Sequence, residues 1–160
     1  MKINFGDDGC VVIYLYHNIP SIDYKDEVDC EKFLKDLFVK LNNYYNYKIE
    51  GYYNVSVYID DFYGIVLDLK REEFEYYDYF DNQVDMRISI NKSHFLYLID
   101  DYDFDTNKFD VYKFLNNIYL LPKEKLSDLE FAKLVENSFI IYDNEEIINR
   151  GILVTDIVKI

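Results

Sequence analysis

Apolar and polar residues alternate most regularly between residues 49 and 71. Aliphatic side chains occupy every second position in two runs, and a short polar segment separates these runs. A period of two is typical of a β-strand with one buried face, so the two runs predict a β-hairpin. If Asp60 pairs with Gly64 across a three-residue loop, Gly64 supplies the positive φ that such a loop needs. The same register brings six aliphatic side chains to one face: Val55, Val57, Ile59, Ile65, Leu67 and Leu69.

Two other stretches have the spacing of amphipathic helices. In residues 29–45, apolar residues recur every three or four positions, and Asp26 or Asp29 is suited to cap the N-terminus. In residues 128–136, Ser127 and Glu130 have the spacing of a capping box. We expect both helices to bury their apolar stripes against strands. The core residues predicted in the first helix are Phe33, Leu37, Phe38 and Leu41.

Further apolar runs have the length and composition of strands. Residues 86–90 and 94–99 are expected to form a strand pair with a turn at residues 91–93. Residues 111–121 predict another hairpin, in which Asn116 and Asn117 suit a two-residue turn with positive φ at both positions. Single strands are expected at residues 10–16, 139–142 and 152–160.

Together these elements predict an α+β fold. The expected architecture is a mostly antiparallel sheet of successive hairpins, with the two amphipathic helices packed on one face. Half of the 160 residues are hydrophobic, which is enough for a substantial core. We expect residues 1–160 to form a single domain, with two lobes at residues 1–85 and 86–160 as the alternative.

The charge of the chain narrows the classes of partner. Thirty-one Asp and Glu residues against 17 Lys and Arg residues give a formal net charge of −14. Nucleic acids and anionic membranes attract clustered Lys and Arg, so direct nucleic-acid or membrane binding is not expected. The same long-range field attracts basic protein surfaces. The 18 Tyr and 12 Phe residues could supply contact area at such a surface.

The cysteines and the N-terminal region indicate a protein without a cofactor. Cys10 and Cys30 are far apart and lack CxxC or His-rich neighbours, so we expect reduced thiols rather than a zinc site or a disulfide framework. The apolar run at residues 10–16 is too short for a signal peptide or a membrane span. The expected location is the cytoplasm.

Clustered aspartates suggest an alternative function, a divalent-metal-dependent hydrolase. Asp61 and Asp68 loosely match the acidic pattern of metal nucleases, but the hairpin register would separate them by roughly 15 Å at ~3.3 Å per residue. Residues 101–107 begin like an EF-hand loop but lack its central Gly and its terminal Glu. The aspartates that a hydrolase could use are Asp60, Asp61, Asp68, Asp101, Asp103 and Asp105.

Residues 9–70 resemble bacterial Clp-protease adaptors of the MecA type. The resemblance consists of a strand, a helix with Phe33-Leu34 and Leu37-Phe38, a hairpin after Gly51, and a strongly acidic chain. It includes no specific motif, so no residue role is transferred.

The leading functional hypothesis is a non-enzymatic acidic protein-binding module, either an adaptor or a nucleic-acid-mimicking inhibitor. In two stretches, residues 72–81 and 100–110, carboxylates alternate with Tyr and Phe. In a mimic, the carboxylates would replace phosphates and the aromatic rings would supply apolar contact. The residues predicted to bind a basic protein surface are Glu72, Glu73, Glu75, Tyr76, Asp78, Tyr79, Asp100, Asp101, Tyr102, Asp103 and Asp105.

Overall fold

The protein forms two compact units. The N-terminal unit contains Met1–Ile59 and Gly64–Lys92, and the C-terminal unit contains Asp60–Tyr63 and Ser93–Ile160. The structure, a computed structural model, describes residues 1–16, 26–72, 84–100, 104 and 106–154. The fold is mixed α+β and mostly antiparallel, as the sequence predicts.

The described residues of the N-terminal unit form one five-stranded sheet and one long helix. The strand order is β1-β2-β4-β3-β5; β2 pairs antiparallel with β1 and with β4, and β3 pairs parallel with β5. The short strand β1 was not predicted from the sequence. The elements are β1 (Lys2–Phe5), β2 (Val11–Tyr16), α1 (Glu27–Tyr45), β3 (Gly51–Asp60), β4 (Gly64–Glu72) and β5 (Val84–Lys92).

Helix α1 closes one face of this sheet. Asp26 is its N-cap, because the Asp26 carboxylate accepts a hydrogen bond from the Val28 N–H at 3.0 Å, and Asn46 ends the helix with φ 51°. Its apolar stripe packs into a core with the alternate residues of the strands. All six aliphatic side chains predicted for the hairpin are in this core, and Phe33 is only partly buried. The buried residues of the helix are Cys30, Leu34, Leu37, Phe38 and Leu41.

The hairpin at the centre of the N-terminal sheet is confirmed in outline. Strands β3 and β4 are neighbours, and residues 61–63 form the turn between them. Gly64 has φ 124°, the positive value expected there. Strand β2 lies within the sheet between β1 and β4, and its alternate residues are buried.

The C-terminal unit has its own five-stranded sheet, in the order β10-β7-β8-β6-β9, with antiparallel pairs throughout. Two short helices accompany it. The elements are β6 (Leu96–Ile99), β7 (Phe109–Phe114), β8 (Asn117–Pro122), α2 (Asp128–Glu136), β9 (Phe139–Ile141), α3 (Glu145–Arg150) and β10 (Ile152–Leu153).

Burial on β6 explains why the chain has two sheets where the sequence predicted one. Successive residues of a strand point to opposite faces, yet Leu96 and Tyr97 are both fully buried. Tyr97 contacts the Phe131 ring of α2, whereas Leu96 packs with Ile147 of α3, so the two helices cover opposite faces. A sheet with helices on one face could not bury both residues.

The expected strand pair between residues 86–90 and 94–99 is wrong, because β5 pairs with β3 and β6 pairs with β8 and β9.

The hairpin of β7 and β8 turns one residue earlier than predicted. Phe114 pairs with Asn117, so Leu115 and Asn116 occupy the turn with φ 47° and 65°. This register pairs Val111 with Leu120, and both are buried. A turn at residues 116–117 would instead place Leu120 opposite the exposed Lys113. Burying Leu contributes about 1.5–3 kcal/mol, which outweighs the ~1–2 kcal/mol cost of a left-handed Leu.

Helix α2 begins at the predicted capping box. Ser127 Oγ accepts a hydrogen bond from the Glu130 N–H at 3.3 Å, and Glu130 Oε2 accepts one from the Ser127 N–H at 3.1 Å. Hydrogen bonding from Lys108, with further bonds from Ser127, lowers the pKa of Glu130.

Within the described residues, no helix combines the length and the apolar character that crossing a membrane requires.

Candidate functional site

The structure describes only two of the residues predicted to bind a partner. Glu72 ends β4 in the N-terminal unit, where it is half-buried and accepts a hydrogen bond from Asn54 Nδ2. Asp100 is exposed directly after β6 in the C-terminal unit. The other nine lie outside the described residues: Glu73, Glu75, Tyr76, Asp78, Tyr79, Asp101, Tyr102, Asp103 and Asp105.

Of the aspartates in the hydrolase alternative, Asp60 is engaged in holding a turn. Its buried carboxylate accepts hydrogen bonds from the N–H groups of Phe62 at 2.7 Å, Tyr63 at 3.0 Å and Phe95 at 2.6 Å. Because its carboxylate oxygens accept hydrogen bonds from three backbone N–H groups, Asp60 has a structural role in this turn. The described residues contain no group of three His, Cys, Asp or Glu side chains arranged to hold a metal ion.

A row of apolar side chains crosses all five strands of the C-terminal sheet. The pairing register joins each residue to the next in the order Leu153, Tyr112, Tyr119, Leu98 and Phe139, one from each strand. We call these five residues the cross-strand row. Strands are spaced at ~4.8 Å, so the four intervals of the row span roughly 19 Å.

Helix α3 covers the middle of the cross-strand row. Ile147 packs with Tyr119, which is only 6% exposed. The helix runs along the row: Asn144, before its first residue, donates to the Ile141 carbonyl on β9, and Gly151, after its last, lies against the Lys113 carbonyl on β7. Six helical residues extend only ~9 Å, which is half of the row.

The two ends of the cross-strand row are therefore open. Phe139 is 66% exposed and Leu153 is 54% exposed, while Tyr112 and Leu98 are half-buried. Each exposed residue borders a half-buried one, Phe139 beside Leu98 and Leu153 beside Tyr112, and exposed apolar patches of this kind are typical of interaction sites. Of the described residues, these form the surface of the C-terminal unit that best fits a binding site.

Acidic residues accompany the open face. Asp110 lies on β7 two residues before Tyr112, so it is on the side of the sheet that carries the row, and Asp100 is exposed in the bend directly after β6. Glu145 and Glu146 are exposed in the first turn of α3. Two cations near this face are each paired with an acid: Lys123 with Asp110 at 3.7 Å and Arg150 with Glu146 at 3.2 Å. The face thus combines apolar contact area with an excess of negative charge.

The face of the N-terminal sheet opposite α1 has a different character. Four half-buried tyrosines are distributed over β2 and β3 with polar residues between them. Lys2 lies over the Tyr14 ring at 5.6 Å, and Ser89 Oγ is 3.4 Å from Ser56 Oγ. Burial raises the pKa of Tyr14, a hydrogen bond with Asn4 lowers it, and the charge of Asp68 raises it. The four tyrosines are Tyr14, Tyr16, Tyr52 and Tyr58.

The sequence did not reveal the cross-strand row. Each member lies in a run that was predicted to be a strand, but alternation within a run does not identify its neighbouring strands. The row depends on pairings such as Leu98 with Phe139, which are 41 positions apart in the numbering. The short α3 was the available signal, since a six-residue helix cannot cover a five-stranded sheet.

Comparison of the chain with protein-family models, curated proteins and solved structures found no match. The chemistry of the described surfaces therefore has to support any functional conclusion.

Proposed function

We propose that the protein is a cytoplasmic, non-enzymatic acidic binding module that engages a basic protein surface, either as an adaptor or as a nucleic-acid-mimicking inhibitor. One observation carries the proposal. A chain with net charge −14 leaves a partly uncovered apolar row in its C-terminal sheet, with Asp110 on the same face and Asp100 exposed directly after β6.

The two properties of this surface have separate roles in binding. The negative charge draws a basic partner from a distance and raises the association rate. Affinity then depends on apolar side chains that lose water at the interface. Acidic residues without apolar contact would give a weak complex that salt disrupts easily.

The predicted acidic stretches extend the same proposal. Glu72 and Asp100 are the described members of the two stretches, at the ends of β4 and β6. We propose that the carboxylates of each stretch contribute to the field that attracts the partner. In an inhibitor of the mimic type they would occupy the phosphate positions of a bound nucleic acid.

The proposal is tested by capturing partners from native cytosol at 0.1 M and 1 M salt. The Debye length falls from ~10 Å to ~3 Å over this range, so a complex steered by charge should weaken. The first variant replaces Asp100, Asp101, Asp103 and Asp105 by Asn, and the second neutralises Glu72, Glu73, Glu75 and Asp78. A matched control neutralises four acids outside these stretches that are all exposed: Asp7, Asp36, Glu124 and Glu136.

We expect at least one test variant to lose about ten-fold in affinity for the captured partner, measured with the purified partner, while the control loses less. A nucleic acid that competes for the purified partner identifies a mimic, whereas simultaneous binding identifies an adaptor. Capture that is equal at both salt concentrations and in all variants would refute the proposed function.

A further inference from the structure

We infer that the open face of the C-terminal sheet beside α3 is a docking surface for a partner segment in which apolar side chains alternate with Lys or Arg. This inference rests on the proposed function and specifies where and how the basic partner binds. It concerns the C-terminal unit alone.

The dimensions of the face indicate the size of the segment. The cross-strand row spans ~19 Å, whereas α3 extends ~9 Å along it. The opposite face is covered more closely at its centre: Leu120 and Tyr97 are each at most 1% exposed there, under the longer α2, and Ile152 at the edge is 64% exposed. An extended segment of about six residues, at ~3.3 Å per residue, is long enough to pass beside α3 from Phe139 to Leu153.

The open side chains have the character of an interface core. Phe139 and Leu153 stand at the two ends of the row, and the half-buried Tyr112 lies next to Leu153 across the strand pair. Apolar anchors that become buried, aromatic ones above all, contribute much of the binding free energy in protein interfaces. Apolar residues of the segment would pack on them.

The charged residues beside the cross-strand row favour a partner segment that carries positive charge. Asp110 lies on this face, Glu145 is exposed on α3, and the nearby Lys123 and Arg150 are paired with Asp110 and Glu146. A basic segment therefore finds carboxylates on this side of the sheet. A second copy of the chain would instead bring the same acids together and add the repulsion of two chains of charge −14. Charge complementarity thus favours a basic partner over self-association.

The test uses two labelled peptides of about eight residues, long enough for the row at ~3.3 Å per residue. One alternates Leu and Lys, and the other alternates Ser and Lys, so that both have the same charge. Binding to the full chain is measured by fluorescence anisotropy at 0.15 M salt. The surface variant is Phe139→Ser with Leu153→Ser, and the control is Leu129→Ser, which changes a residue on α2 that is 82% exposed.

We expect the Leu/Lys peptide to bind more tightly than the Ser/Lys peptide. The surface variant should weaken binding of the Leu/Lys peptide about ten-fold, because it truncates both exposed apolar anchors of the row. Binding of the Ser/Lys peptide should stay the same, and the control should bind both peptides as the wild type does. Phe139→Tyr should retain binding, and melting temperatures confirm that each variant is folded.

The outcomes separate the inference from the proposed function. If neutralising Asp100, Asp101, Asp103 and Asp105 weakens both peptides but the surface variant changes neither, the inference is wrong and the proposed function stands. Equal binding of the two peptides to the wild type would also overturn the inference. If neither peptide responds to salt or to charge neutralisation, the proposed function fails and the inference fails with it.

Discussion

The two sheets of this protein have five strands each but are covered to different extents. In the N-terminal unit, the 19 residues of α1 extend ~28 Å, more than the ~19 Å width of five strands. In the C-terminal unit, apolar residues occupy both faces, and helices of nine and six residues share the cover. The face under the 19-residue helix is buried, whereas the face under the six-residue helix leaves Phe139 and Leu153 exposed.

The sheet faces that are not fully covered by a helix also differ in polarity between the two units. The N-terminal sheet presents tyrosines among polar residues, and Tyr14 bonds with Asn4. The C-terminal sheet presents Phe139 and Leu153 at the ends of an apolar row. Only the second face would gain a large hydrophobic free energy from a partner that covers it.

Side-chain truncations in the buried core of the N-terminal unit and in the cross-strand row should differ most in their effect on the free energy of unfolding. Leu41 of α1 is fully buried, so Leu41→Ala should lower the free energy of unfolding by about 3 kcal/mol through lost burial and a cavity. Phe139→Ala in the cross-strand row should cost less than about 0.5 kcal/mol, because its side chain is largely exposed. Urea denaturation measures both.

Val39→Ala is the control for the first substitution, since Val39 lies on the exposed side of the same helix. It should stay within about 0.5 kcal/mol of the wild type. Equal losses in Leu41→Ala and Phe139→Ala would contradict the distinction between a closed and an open face.

Removing the Asp60 carboxylate should be the largest polar perturbation. Asp60→Ala leaves the N–H groups of Phe62, Tyr63 and Phe95 without their acceptor in a buried site, which should cost about 2–4 kcal/mol. Asp60→Asn should cost less, because its amide oxygen can still accept. Amide hydrogen exchange reports the effect: protection of these three N–H groups should fall in Asp60→Ala, and unchanged protection would argue against this role for Asp60.

Much of the N-terminal unit was predictable from its sequence because the evidence there is local. Val55, Val57 and Ile59 alternate within one strand, and Leu34, Leu37 and Leu41 repeat at helical spacing, so one short window contains each pattern. The capping box at Ser127 and Glu130 is equally local. Strand β5 was harder, because its parallel pairing with β3 depends on residues more than 30 positions away.

The candidate site could be predicted only in part for the same reason. The charge of the chain follows directly from composition, and it led to the acidic binding hypothesis and to Asp100. The cross-strand row results from four pairings between strands that are distributed from β6 to β10, and no local pattern specifies them. The turn at Leu115 illustrates how burial and local turn preference compete. Burial of Leu120 favours the observed register, although Asn would adopt the positive φ at position 115 more readily than Leu.

Leu115→Asn should therefore stabilise the C-terminal hairpin. Leu115 is 78% exposed with φ 47°, and Asn adopts this conformation more readily, so we expect a gain of about 1 kcal/mol. Leu115→Ala is the matched control: it keeps the conformational cost and loses little packing, and it should differ from the wild type by less than about 0.5 kcal/mol. If thermal unfolding shows that Asn stabilises no better than Ala, backbone conformation is not what limits this turn.

The smallest expected effect concerns Tyr14 on the open face of the N-terminal sheet. Burial raises the pKa of the Tyr14 phenol, the hydrogen bond with Asn4 opposes this, and the charge of Asp68 adds to it. A raised pKa in the folded state means that the associated stability is fully present below the pKa of unfolded Tyr, about 10, and is lost as pH rises through the folded value. Asp68→Asn should lower the pKa of Tyr14, and Asn4→Ala should raise it. NMR titration of ¹³C-labelled tyrosine, assigned with Tyr14→Phe, measures both shifts. A Tyr14 pKa that does not respond to Asp68→Asn would show that this face screens charge as effectively as bulk water, and its polar character would then rest on hydrogen bonding alone.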